Sequence, residues 1–313
     1  MSVKQIQEEI LKLKKKASTT ILAHYYQSLE IQEIADHLGD SLGLSRLAKK
    51  ADTEYIIFAG VDFMAETASI LNQNKKVLIP NPESCCPMAA YLTANKVKEF
   101  RLSNPNLPVV IYVNTTAAVK AESDICCTSA NAVKIVKRIS SEFNTKAVLF
   151  GPDANLADYV EQKSGIKCIK MPEEGNCYVH SQLNINDMEK IRIAYPKGEI
   201  LVHPECIREV REFADFVGST GQMYNRVKNN TTLENDFCIG TEKGLMERMA
   251  QDFPNKKFHL ISEKLLCYNM KKNTIELMRY VLDHLDDPMF EVKVPPEIAK
   301  KALKPIEKML EYS

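Results

Sequence analysis

The stretch Ala147-Val-Leu-Phe-Gly151-Pro-Asp153 is a short apolar run that ends in glycine, one further residue and an acid. The same pattern occurs twice more, as Tyr55-Ile-Ile-Phe-Ala-Gly60-Val-Asp62 and Phe237-Cys-Ile-Gly240-Thr-Glu242. The three glycines are separated by 91 and 89 residues. Short apolar runs followed by helical patterns are typical of buried strands in parallel sheets. The spacing therefore indicates an internal repeat of about ninety residues.

Three further landmarks follow the same period. Each copy has a polar residue at the end of its first strand, a hydroxyl residue where a helix opens, and a cysteine after its last strand. In chain order these are His24, Ser41 and Cys86; Tyr112, Ser129 and Cys177; and His203, Thr220 and Cys267. The first two landmarks recur after 88 and 91 residues, and the cysteines recur after 91 and 90. One period shared by several landmarks predicts that the chain is a triplicated unit.

Alternating strands and helical segments predict three homologous, Rossmann-like α/β domains with parallel sheets. Ligands bind beyond the carboxyl ends of parallel strands. Pseudo-threefold symmetry would therefore gather the polar landmarks around one central active site. The predicted divisions are an N-terminal helix at 1–18, repeats at 19–105, 106–195 and 196–273, and a C-terminal helical cap at 274–313.

The composition excludes several classes of function. Of the 313 residues, 45% are hydrophobic and 26% are charged, with 41 basic and 41 acidic side chains. This balance offers no bulk attraction for nucleic acid or anionic membranes. No apolar run approaches the ~18 residues of a membrane span, and no signal peptide is recognisable. We therefore expect a cytoplasmic protein, in which nine cysteines favour metal or redox chemistry over disulfides.

The three repeated cysteines, Cys86, Cys177 and Cys267, are the candidate metal ligands. Three equivalent thiolates suit a [4Fe–4S] cluster with one open iron, while a zinc ion with three cysteines and a water, or plain burial, remains an alternative. Burial in the core is expected for Cys126, Cys168 and Cys238. No role is decided for Cys85, Cys127 and Cys206.

An ordered set of motifs, from about Ile21 to about Thr274, resembles the quinolinate synthase family. The set includes His24-x-Tyr26-Gln, Gly-Asp40-Ser41, Tyr112-Val-Asn114, Cys127-Thr-Ser129-Ala-Asn, Gly151-Pro-Asp-x-Asn-Leu, His203-Pro-Glu205-Cys206, Gly218-Ser-Thr220, Gly240-Thr-Glu and Asn269-Met-Lys-Lys-Asn-Thr. The resemblance implies three α/β domains around a [4Fe–4S] cluster bound by one cysteine from each. It also implies condensation of iminoaspartate (iminosuccinate) with dihydroxyacetone phosphate to quinolinate, phosphate and two waters in NAD biosynthesis. L-aspartate oxidase or aspartate dehydrogenase would supply the imine.

The resemblance also implies roles for individual residues. The substrate-binding positions it matches are His24, Ser41, Tyr112, Asn114, Ser129, His203, Glu205 and Thr220. The candidates for proton transfer are Tyr26, Glu205 and His180. Simple N-capping of helices is an alternative reading of the three hydroxyl residues. One departure is Tyr25, where the family commonly has asparagine.

Two other functions remain open at this stage. A different [4Fe–4S] hydro-lyase acting on a hydroxy acid would share the open iron. A non-enzymatic iron–sulfur sensor would not need the polar strand ends. The remaining histidines, His37, His259 and His284, have no repeat or motif support, and we expect them at the surface or in packing.

Overall fold

Three parallel sheets of four strands each form the body of the chain, of which a computed structural model describes residues 1–231 and 236–313. The first sheet contains β1 (Thr19–His24), β2 (His37–Gly39), β3 (Tyr55–Ala59) and β4 (Lys76–Leu78). The second contains β5 (Val109–Tyr112), β6 (Ile125–Cys127), β7 (Ala147–Gly151) and β8 (Lys167–Lys170). The third contains β9 (Glu199–Val202), β10 (Phe216–Val217), β11 (Asp236–Gly240) and β12 (Lys257–Leu260). Each sheet has its strands in the spatial order second, first, third, fourth, which confirms the predicted three α/β units.

Helices connect the strands and close both ends of the chain. In order they are α1 (Val3–Lys16), α2 (Leu29–Gln32), α3 (Ser41–Lys50), α4 (Asp62–Leu71), α5 (Ala94–Ser103), α6 (Ala117–Lys120), α7 (Ala132–Glu142), α8 (Ala154–Ser164), α9 (Ile185–Ala194), α10 (Arg208–Phe213), α11 (Thr220–Lys228), α12 (Lys243–Asp252), α13 (Ile275–Asp283) and α14 (Pro296–Tyr312). Short 3-10 turns follow the three repeated cysteines, at Pro87–Tyr91, His180–Gln182 and Met270–Lys272. Helices lie at both ends of the chain, where the sequence predicts them, and α14 begins at Pro296.

The central strands are mainly apolar because both of their faces are covered. Successive side chains of a strand point to opposite faces. In β1, Leu22 packs into one hydrophobic core with Phe58, while Ile21 packs into a second core with Ile57. The helices α1 and α13 contribute to that second core, in which Ile10 is fully buried. Packing on both faces holds each strand in one orientation. The polar side chains at the carboxyl ends of the strands are therefore held in defined positions.

The domain boundaries and the symmetry expected from the sequence remain predictions. The boundaries at 18, 105, 195 and 273, and the pseudo-threefold relation between the repeats, follow from the sequence period alone. Residues 232–235, within the third predicted repeat, lie outside the described residues. Of the helices that the structure describes, none has the length and apolar character needed to cross a membrane.

We predict that Gly175→Ala destabilises the fold near the loop of Cys177. A Cβ at Gly175 would lie 1.9 Å from the carbonyl oxygen of Pro152, so the backbone must move. The expected loss in the free energy of unfolding is about 1–3 kcal/mol, measured by denaturant titration. Gly43→Ala is the control, because its Cβ meets only Asp40 Oδ1 at 3.4 Å. Because Gly43 lies within helix α3 and alanine favours helix more than glycine does, this variant should keep or raise the free energy of unfolding. Equal unfolding midpoints for the two variants would contradict the prediction.

Candidate active site

A cavity of about 730 Å³, including its opening to solvent, lies where strand ends from all three sheets meet. Every site residue predicted from the sequence lines it. These residues are His24, Tyr26, Ser41, Cys86, Tyr112, Asn114, Ser129, Cys177, His180, His203, Glu205, Thr220 and Cys267. The structure therefore brings all of them together, although they are spread over most of the chain.

The three cavity cysteines are held in the same way in each repeat. The backbone N–H of each donates a hydrogen bond to the acid of the Gly-x-acid pattern. The pairs are Cys86 to Asp62 at 3.1 Å, Cys177 to Asp153 at 3.1 Å and Cys267 to Glu242 at 3.3 Å. The same acids accept N–H groups from the first turns of α4, α8 and α12. An acid that the sequence analysis treated only as a spacing landmark thus positions each cysteine loop.

The surroundings of the three thiols fit a cationic metal centre. Each thiol accepts a hydrogen bond from a backbone N–H in the 3-10 turn that follows it. Burial raises the pKa of all three thiols, and Cys267 raises the pKa of Cys86 and of Cys177 further. Three thiolates lining one cavity need positive charge, which a metal centre supplies. N–H donors aimed at sulfur are the outer partners that iron–sulfur ligands use.

Glu205 lines the cavity and contacts two histidines. Its Oε2 is 2.7 Å from His180 Nδ1 and 3.3 Å from His203 Nδ1, and the two rings stack with centroids 4.4 Å apart. Burial acts to raise the pKa of Glu205, but His203 and His180 hold it well below the usual range. Burial lowers the pKa of His180. Glu205 is therefore a carboxylate at neutral pH, able to accept a proton.

A chain of hydrogen bonds connects His180 to the cavity hydroxyls. His180 Nε2 lies 2.8 Å from Thr241 Oγ1, which lies 2.7 Å from Tyr26 Oη. The Thr220 hydroxyl donates to Tyr26 Oη at 3.0 Å. Burial raises the pKa of Tyr26 well above its usual value, so its hydroxyl keeps its proton. The chain can pass a proton between Tyr26 and the Glu205 carboxylate.

Thr241 is a site residue that the sequence analysis missed. It is fully buried and joins two predicted residues. It is the middle residue of Gly240-Thr-Glu242, and the equivalent residues in the other repeats are Val61 and Pro152. A polar residue at a position that is otherwise apolar was the available signal.

The N-cap residues of the three helices that begin at the cavity are not the hydroxyl residues proposed as N-caps from the sequence. The N-caps of α3, α7 and α11 are Asp40, Asn131 and Ser219. The N-capping alternative for Ser41, Ser129 and Thr220 is therefore wrong, and these hydroxyls line the cavity instead. Asp40 also accepts a hydrogen bond from the Ser219 hydroxyl at 3.2 Å, which ties α3 to α11.

The residues expected outside the site are largely where the sequence placed them. Tyr25 stacks on Tyr224 with ring centroids 5.3 Å apart and points away from the cavity. The cysteines predicted to lie in the core, Cys126, Cys168 and Cys238, are buried. Of the undecided cysteines, Cys127 and Cys206 are buried and Cys85 is exposed. His37 and His284 are exposed, and His259 stacks on Tyr195 and contacts Asp236 at 2.9 Å.

Comparison with known proteins identifies the family. A family model described as NadA, quinolinate synthetase A protein, matches residues 8–311. The chain belongs to this family. A quinolinate synthase of Pyrococcus abyssi is 46% identical over 308 residues, which is 98% of this chain and 99% of the relative. The enzyme named quinolinate synthase in Thermotoga maritima is 46% identical over 304 residues, covering 97% and 98%. The one in Thermococcus kodakarensis is 45% identical over 313 residues, covering 100% of both.

The quinolinate synthetase A match confirms the resemblance inferred from the motifs and extends it. The motifs span only about Ile21 to Thr274, whereas the match includes most of α1 and of α14. Both helices pack against the sheets that build the cavity. The terminal helices are therefore part of the family's structure rather than additions to it.

We predict that His24 makes the stability of the fold depend on pH. Its Nδ1 accepts the Tyr26 N–H at 3.2 Å, and burial lowers its pKa from 6.5 to about 3, with His203 and Lys271 acting in the same direction. The unfolded chain gains this proton near pH 6.5, so the stability is fully present above that pH and falls as the pH drops toward 3.

From pH 7.5 to 5.5, the free energy of unfolding should fall by about 1.4 kcal/mol more for the unmodified chain than for His24→Gln. Denaturant titrations of both proteins at the two pH values measure this difference. Parallel pH dependence of the two proteins would show that His24 is charged in the fold.

Proposed function

We propose that this chain is a quinolinate synthase, which condenses iminoaspartate with dihydroxyacetone phosphate to give quinolinate, phosphate and two waters. The observation that carries the proposal is the meeting of three cysteine loops and the polar strand ends of three sheets in one cavity. The names of the relatives support it, because they match this chain over nearly its whole length. The three repeats would act as three domains with the boundaries expected from the sequence.

Cys86, Cys177 and Cys267 would hold a [4Fe–4S] cluster with one iron open to substrate. When bound there, the cluster would supply a Lewis acid for a substrate oxygen. The carboxylates of Asp62, Asp153 and Glu242 would keep the three cysteine loops in place through the N–H hydrogen bonds described above.

Polar groups of the cavity suit two anionic substrates. Ser41 and Thr220 are the first residues of α3 and α11, where free backbone N–H groups favour carboxylate or phosphate. Asn114 Oδ1 is buried and has no hydrogen-bond partner among the described residues, so it is available to a substrate donor. His24, Tyr112, Ser129 and His203 complete the substrate-binding set.

The protonation states of Glu205 and Tyr26 indicate which group would accept a proton and which would donate one. Enediol formation removes a proton from carbon, and Glu205 is the ionised group that would accept it. Loss of water needs a proton on the departing oxygen, and the Tyr26 hydroxyl keeps one to donate. Thr241 and His180 would return the proton from Glu205 to Tyr26 through the hydrogen-bond chain.

Iminoaspartate hydrolyses readily, so an enzyme that oxidises aspartate must supply it close to the point of use. An L-aspartate oxidase or an aspartate dehydrogenase has the required chemistry. This link is a functional one and needs no stable contact with the present chain.

The deciding experiment is an anaerobic assay of the purified chain. A brown protein with about four irons per chain should form quinolinate and release phosphate only when both substrates are present. Loss of water from a hydroxy acid without dihydroxyacetone phosphate would favour the hydro-lyase instead. An intact cluster without any turnover would favour a sensor, and failure of the zinc-free chain to take up iron and sulfide anaerobically would contradict the cluster.

We predict that Glu205→Gln and Tyr26→Phe each lower kcat by about 10²–10⁴-fold while the iron content is unchanged. Cys86→Ser should instead lose iron and activity together. Cys85→Ser is the matched control, because this neighbouring thiol is exposed and should not contribute. Iron analysis and steady-state rates measure both effects. Loss of iron in Cys85→Ser but not in Cys86→Ser would overturn the ligand assignment.

A further inference from the structure

A second set of metal donors lies inside the cavity and includes only one of the three repeated cysteines. Ligand atoms of Cys177, His180 and Glu205 all lie within 4.8 Å of one another. His180 and Glu205 are almost fully buried, and Cys177 is partly buried. We propose that the chain without an iron–sulfur cluster binds one zinc ion through Cys177, His180 and Glu205, with water as the fourth ligand.

The donor types and their spacing suit zinc. Zinc bonds to sulfur, nitrogen and oxygen are about 2.0–2.3 Å long, so two ligands of a tetrahedral ion lie about 3.3–3.8 Å apart. Donors within 4.8 Å reach this spacing by small rotations of their side chains. His180 Nδ1 lies 2.7 Å from Glu205 Oε2 but has no hydrogen-bond partner among the described residues, so its lone pair is available to the ion when the ring proton is on Nε2.

The charges balance when zinc binds. Cys177 loses its thiol proton to solvent, Glu205 is already a carboxylate, and His180 binds as the neutral ring. One thiolate and one carboxylate then neutralise the two positive charges of zinc. A buried site with no net charge avoids the cost of an unpaired ion in a low-dielectric interior.

Outer partners for the ligands are present in the fold. Metal-binding histidines usually donate their second ring N–H to an oxygen. Thr241 Oγ1 lies 2.8 Å from His180 Nε2 and can accept that hydrogen bond, leaving Nδ1 for the metal. Glu205 Oε1 is buried without a hydrogen-bond partner among the described residues, so it has free lone pairs to offer.

Cys177 belongs to both donor sets, so the zinc site and the cluster exclude each other. Cys86 and Cys267 are needed for the cluster alone. A chain that takes up zinc first would be closed to cluster assembly until the zinc is removed. Three cavity cysteines binding zinc together would be a different site, and the two sites differ in which variants abolish binding.

The test uses the full-length chain prepared anaerobically without iron and titrated with Co²⁺, which reports thiolate ligands by an intense charge-transfer absorption. The expected result is one Co²⁺ per chain with this absorption, abolished by one equivalent of Zn²⁺. Cys177→Ser should remove the absorption, and His180→Gln and Glu205→Gln should weaken binding at least tenfold. Far-UV circular dichroism checks that each variant is folded.

Cys86→Ser and Cys267→Ser are the matched controls, since each removes a cavity thiol that the zinc site does not use. Both should bind Co²⁺ like the unmodified chain. Absence of the absorption, or equal loss in all three cysteine variants, would overturn the proposal.

The cluster-loaded chain should take up no Co²⁺, and uptake without loss of iron would overturn the shared use of Cys177. None of these readouts needs turnover. The proposal of a zinc site can therefore be confirmed or contradicted whether or not the chain makes quinolinate.

Discussion

Each cavity cysteine is held by a hydrogen bond from its own backbone N–H to a carboxylate at the end of a neighbouring strand. Asp153 and Glu242 are fully buried, so an unpaired charge at either position would be costly. Hydrogen bonds from the cysteine loop and from the following helix offset that cost, and Glu242 also pairs with Lys271 at 3.0 Å. The same contact thus satisfies a buried acid and places a thiol at the cavity. The rest of the site depends on it.

Burial acts to raise the pKa of both Glu205 and Tyr26, but the neighbouring histidines move the pKa of Glu205 in the opposite direction. Glu205 stays ionised because two histidines contact it, whereas Tyr26 stays protonated because it is buried. Pairs of groups whose pKa values are driven apart are the usual source of one acid and one base in a single site. Thr241 connects the two without carrying a charge itself. The contact between His180 and Glu205 belongs to this network, and it is also what would open to admit a metal ion.

The three repeats have the same backbone architecture but different side chains at their strand ends. Strand order, the 3-10 turn after the cysteine and the hydrogen bond from the cysteine N–H to an acid recur in each. The residues at equivalent strand ends are His24, Tyr112 and His203, and only the third repeat has a glutamate two residues later. Repetition of the scaffold therefore builds the cavity and places the thiols. Divergence at the strand ends makes the cavity asymmetric, as a reaction between two different substrates requires.

The amino-acid sequence was enough to predict the three parallel sheets, the terminal helices, the residues at the strand ends, and the burial of Cys126, Cys168 and Cys238. These features depend on local apolar patterns and on a repeat period, both of which can be read along the chain. The contacts between polar groups of different repeats could not be predicted in this way and are visible only in the folded chain. Tyr26 meets Thr241 across 215 residues, and Asp40 meets Ser219 across 179. Periodicity places a residue on a strand end or a helix turn. A hydrogen bond between repeats depends on how the sheets pack against each other. The hydrophobic cores determine this packing, and the sequence around the hydrogen-bonded residues does not.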